Sequence, residues 1–70
     1  MLKITVKFNT EMEKNLGKDI LTYAACNEIK EEKDKLIGFT DAPHEHYRVI
    51  KDYIFRRTYG GMKVEMQEVE

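Results

Sequence analysis

Serine is absent from this 70-residue sequence, so every scheme that needs a serine nucleophile is excluded. Cysteine occurs once, at Cys26. No intrachain disulfide can form, and a reducing compartment suits such a chain. Proline also occurs once and glycine only four times, which leaves no linker and no low-complexity tract. Long hydrophobic runs are missing as well. The longest is Tyr23-Ala24-Ala25-Cys26, far below what a bilayer crossing needs. Charges begin at Lys3, so no export leader is expected; the expected location is cytoplasmic, with no membrane partner. Finally, neither sign of charge is in excess: 12 Lys and Arg stand against 13 Asp and Glu, a formal net charge of -1. That excludes a polyanion binder charged over its whole body, and equally an acidic mimic of DNA.

What is present is globular in character. Hydrophobic residues make up 41% of the chain and charged residues 36%. The length allows one domain, residues 1–70, with a thin margin of stability.

Leu2, Ile4, Val6 and Phe8 alternate with Lys3, Thr5 and Lys7, the period of a half-buried strand. Thr10 and Glu13 have the spacing of a capping box. A short helical turn from Glu11 to Leu16 is expected to follow and to break at Gly17, with Asp19 as a second N-cap. From Ile20 to Lys35 the spacing of Leu21, Ala25, Ile29 and Leu36 predicts a helix. Its run E-I-K-E-E-K-D-K reads as a solvated face with i,i+4 pairs such as Glu31–Lys35. Leu36–Phe39 is either the end of that helix, with Gly38 as its C′ residue, or a short edge strand; the former is preferred. Thr40, Asp41 and Pro43 then resemble a helix start, and a second helix is expected over Pro43–Thr58 with Tyr47, Ile50, Tyr53, Ile54 and, marginally, Val49 on its apolar face. Gly60-Gly61 stops it. Met62, Val64 and Met66 alternate with Lys63, Glu65 and Gln67, which predicts a closing strand.

The expected class is therefore α+β: a β-α-α-β order with two helices packed on a small sheet formed by the N- and C-terminal strands. Two strands make a poor sheet, so either Leu36–Phe39 supplies a third or a second subunit extends it. The expected core is Ile4, Val6, Ile29, Ile50, Ile54 and Val64.

Catalytic and metal chemistry find little support. His44 and His46 are two apart and would point away from each other on a helix, whereas helical metal ligands favour spacings of three or four. Cys26 beside two alanines reads as small-residue packing rather than as a nucleophile. No carboxylate pair sits in apolar surroundings. Gly60-Gly61 follows a helix and precedes a strand, the reverse of a phosphate-binding loop. No metal, no cofactor and no catalytic set is expected. Tyr47 and Tyr53 fall on the apolar helix face and read as core, leaving Tyr59 free for contacts.

One surface stands out. His44, Arg48, Lys51 and Phe55 recur at steps of four, three and four, on the side of the second helix away from Ile50 and Ile54. From Arg48 through Lys63 there are five positive residues, Arg48, Lys51, Arg56, Arg57 and Lys63, against the single negative Asp52. An aromatic residue within a basic ring suits recognition. The expected function is a small non-enzymatic interaction or regulatory protein. Its surface would be His44, Arg48, Lys51, Phe55, Arg56, Arg57 and Tyr59, and its partner an acidic protein surface or a second copy of the chain. Nucleic acid, held by phosphate contacts to the same arginines and lysine, is the second reading, although no helix-turn-helix, zinc-finger or basic-region pattern is present. A small enzyme or enzyme subunit is the third.

Overall fold

The computed structural model describes residues 1–41, 44–57 and 62–69. Strand β1, Leu2–Lys7, buries Leu2, Ile4 and Val6 on one face, as its alternation requires. It pairs antiparallel with β3, Lys35–Thr40, on one side and with β4, Lys63–Glu68, on the other. A short strand β2, Glu28–Glu31, pairs with β3, so the sheet order is β2-β3-β1-β4. Helix α1, Glu11–Tyr23, connects β1 to β2; a 3-10 turn, His44–His46, and helix α2, Tyr47–Arg57, lie between β3 and β4. This is an α+β domain with its terminal strands adjacent in one sheet, as expected. The order β-α-β-β-α-β with these neighbours is the split-βαβ, or ferredoxin-like, plan.

Both helices lie on one side of the sheet. Ile20 and Leu21 of α1, its C-cap Ala24, and Ile50 and Ile54 of α2 close a single core over Leu2, Ile4, Val6, Leu36 and Met62. An all-antiparallel sheet can leave its second face solvated, and no described element covers that face here.

The middle of the chain departs from the sequence reading. Helix α1 does not break at Gly17 and does not continue to Lys35. It starts at the expected Thr10 cap: the Glu13 backbone N–H donates to the Thr10 hydroxyl at 3.1 Å, and the Glu13 carboxylate accepts from the Asn9 N–H at 2.8 Å. It then runs unbroken, because its buried stripe is Gly17, Ile20 and Leu21, continued by the C-cap Ala24, while Met12 faces solvent. Gly17 is a contact point rather than a break. A Cβ there would lie 3.0 Å from Val6 Cγ1 and 3.1 Å from Leu36 Cδ1. Asp19 is interior to the helix rather than a cap.

The helix ends in a Schellman motif, with the Cys26 N–H bonded to Leu21 O at 3.1 Å and the Ala25 N–H to Thr22 O at 3.0 Å. Its left-handed C′ position, φ 60°, is held by Ala25, where glycine is usual. An L-residue carries a steric cost there, so Ala25→Gly is expected to raise stability by about 0.5–1 kcal/mol in chemical denaturation. A loss of stability would contradict the cap geometry.

Residues 28–39, expected as helix and helix end, and Thr40, expected at the start of the second helix, form the β2–β3 hairpin, with Thr40 the buried last residue of β3. Glu32 and Lys35 flank its two-residue loop, with the Glu32 N–H donating to Lys35 O at 2.9 Å. Glu31 accordingly does not pair with Lys35 along a helix. Its carboxylate reaches across to the Lys14 ammonium, and Lys18 Nζ lies 3.7 Å away. The Lys14 hydrogen bond holds the Glu31 carboxyl below its usual range and raises Lys14 in return. Leu36 and Gly38 are buried interior residues of β3, not a helix end and its cap. Ile29, expected in the core, is 38% exposed, because it sits on the edge strand β2, where every residue is exposed. Val64 is half-buried. The expected helix boundaries Pro43 and Thr58 and the Gly60-Gly61 stop lie outside the described residues.

Candidate functional site

Ile50 and Ile54, four apart on α2, turn into the core, each 5% exposed. Between them Tyr53 stacks on Tyr23 of α1, ring centroids 3.7 Å apart at 15°, and the Arg57 guanidinium lies 5.2 Å above the Tyr53 ring. Helix α2 is thus held against α1, and its other flank stands over β4 without closing on it. There a groove of about 520 Å³ opens between helix and strand. Its floor is apolar, made by Leu2, Ile54, Val64 and Met66, and its helix wall is Tyr47, Arg48, Lys51 and Phe55. Glu68 lies at the end where β4 finishes.

The structure brings Arg48, Lys51 and Phe55 together along this wall. Phe55 is 84% exposed, the highest value of any large hydrophobic residue among those described. A phenylalanine so placed leaves most of its apolar area in water, which burial in an interface would recover. Arg56 is exposed but does not line the groove. Arg57 is engaged with Tyr53. Tyr59 and the side chain of His44 lie outside the described residues. Val49, marginal on the expected apolar face, is 55% exposed, and Tyr47 and Tyr53 are half-buried.

Sequence reasoning assigned Tyr47 and Ile54 to the core rather than to the site, and it did not assign Glu68 or the strand residues Leu2, Val64 and Met66 to the site. The alternation of these last three marks them as helix-facing strand positions. No local signal shows that α2 stops short of them.

Other groups offer less. Cys26 packs just beyond the end of α1, and burial pushes its thiol up to about 11, so at neutral pH it is protonated and a poor nucleophile. Among the described residues no group of His, Cys, Asp and Glu converges to hold a metal ion. No described helix is long and apolar enough to cross a membrane. A second hollow, about 260 Å³, lies between the end of α1 and the start of α2 beside Tyr23, His46 and Val49; it gathers no charged set.

No protein-family model matches the chain, and comparison with curated proteins and with solved structures gave no match. A plan as widely reused as split βαβ carries no function of its own.

Proposed function

We propose that this domain is a non-catalytic protein-interaction module whose α2–β4 groove takes a segment of a partner protein that combines bulky apolar residues with Asp or Glu. The observation that carries the reading is Phe55, almost fully exposed beside Arg48 and Lys51 above an apolar floor. The aromatic ring and the floor supply area to be buried, while the two cations choose the partner's charge and speed its approach. Phosphates would use Arg48 and Lys51 but leave the floor unfilled, so an acidic peptide fits this groove better than nucleic acid does.

The test is selection from a random peptide display library, followed by titration of an enriched peptide into the labelled protein. Enriched sequences should pair large apolar residues with carboxylates, and chemical shifts should move for Leu2, residues 47–55 and residues 64–68. Phe55→Ala should weaken binding about tenfold or more while leaving the melting temperature nearly unchanged. Arg48→Ala and Lys51→Ala should do less, with an effect that shrinks as salt rises. Enrichment of basic peptides, or unchanged binding by Phe55→Ala, would overturn the reading.

A second copy of the chain is the alternative occupant, favoured by one observation. The Val69 N–H bonds to Met1 O at 2.8 Å, and the alternation of an antiparallel ladder then turns the amides of Val64 and Met66 away from β1, towards the sheet edge. Concentration-dependent sedimentation that Phe55→Ala abolishes would select this occupant.

A further inference from the structure

The face of the sheet opposite the helices carries a second pattern, which does not depend on the groove. Strand register sets its side chains in rows. Lys7 lies opposite Lys35 on one neighbour and opposite Lys63 on the other. Three lysines thus stand side by side across three strands, about 5 Å apart at their backbones. Like charges directly opposite each other destabilise a sheet. Lys35 has Glu32 at 3.9 Å to offset this, but no ion pair among the described residues engages Lys7 or Lys63. The next row is Lys30, Ile37, Thr5 and Glu65, and the one after it Glu28, Phe39, Lys3 and Gln67. Ile37 and Phe39 are half-buried, lie outside the core cluster and occupy the middle of the face. Phe39 sits roughly 14 Å along the strand from the lysine row, with Lys3 beside it.

We infer that this face binds single-stranded nucleic acid, with the Lys35–Lys7–Lys63 row on the phosphates and Phe39 as a stacking platform for a base. The charge complementarity is direct, since anions laid along the row remove its internal repulsion and pair the Lys7 and Lys63 ammonium groups, which no ion pair among the described residues engages. Free phosphate would satisfy the lysines and ignore Phe39 and Ile37. A single strand uses both, because every base offers a flat π-face and every step a phosphate. The face is open and a few strands wide, so extended bases can lie across it. The groove lies on the other side of the sheet, so both sites can be filled at once.

The experiment is fluorescence anisotropy of the full chain with labelled oligo(dT) and oligo(U), over a salt series from about 50 to 200 mM. Affinity should fall linearly in log salt, with a slope near -0.7 for each phosphate contact. Lys7→Gln and Lys63→Gln should each reduce the slope by about that amount. Phe39→Leu, which keeps an apolar side chain but removes the ring, should weaken binding about fivefold or more with the slope unchanged. Lys18→Gln removes the same charge from α1, on the far side of the sheet, and should leave binding intact; melting curves confirm that each variant is folded. Absence of binding at the lowest salt would overturn the inference, as would equal losses for Lys18→Gln and Lys7→Gln. So would polyphosphate competing equally well against wild type and Phe39→Leu, which would mark a polyanion site without base stacking.

Discussion

Ile4→Ala is expected to cost the domain about 2–5 kcal/mol, measured by urea unfolding. Ile4 is wholly excluded from solvent. On the sheet it lies between Gly38 and Met66, and above it is the helix layer. Gly38 has no side chain to swing into the space left behind, so the site collapses poorly and the cavity persists. For a chain of this length the total stability is roughly 4–10 kcal/mol; one substitution would remove much of it. Ile29→Ala is the contrast. Ile29 is 38% exposed on the edge strand, and its truncation should cost about 1 kcal/mol or less. If the two results were reversed, β2 would not be an edge strand, and the helix expected over Ile20–Lys35 would have to be reconsidered.

Gly38→Ala is expected to destabilise by about 1–3 kcal/mol, although glycine-to-alanine in a strand interior ordinarily gains about 0.5–1 kcal/mol. The reason is proximity. A Cβ at Gly38 would lie 2.7 Å from Cys26 Sγ, 3.1 Å from Cys26 Cβ and 3.1 Å from Leu21 Cδ2. Rotating the thiol away relieves only the first of these. The Cys26 Cβ moves only with the backbone just after α1, and the Leu21 methyl must give by a few tenths of an ångström, so side-chain rotation alone does not clear the site. In a Cys26→Ala background part of the crowding is gone, and the double mutant should recover more than about 0.5 kcal/mol of the loss. A neutral or stabilising Gly38→Ala would mean that the helix end does not pack on β3 at this distance.

Gly38 and Ala25 also explain what the sequence hid. The terminal strands were legible because Leu2–Val6 and Met62–Met66 alternate with period two, and one buried face suffices to impose that pattern. Helix α2 was legible from Ile50, Tyr53 and Ile54, and with it the exposed stripe of Arg48, Lys51 and Phe55, which the structure places on the flank beside Ile54 rather than opposite it. The end of α1 was not. Its left-handed stop is an alanine, so the usual glycine signal is missing, and the bonds that make the stop run to Leu21 and Thr22 in three dimensions. The hairpin that follows carries alternating charges that suit a solvated helix as well as an edge strand, because β2 buries almost nothing. The pairing of β3 beside β1 decided the matter: it places Gly38 under the helix end and needs residues 35–40 extended.

The candidate sites divide in the same way. Local periodicity determined which residues of α2 face outward. Only the tertiary structure decided that α2 leans on α1 through Tyr23 and Tyr53 and leaves a groove above β4, and only strand register set Lys35, Lys7 and Lys63 in one row. Period and polarity act between residues a few positions apart, so a sequence displays them. Grooves and rows arise from residues dozens of positions apart, and folding alone brings those together.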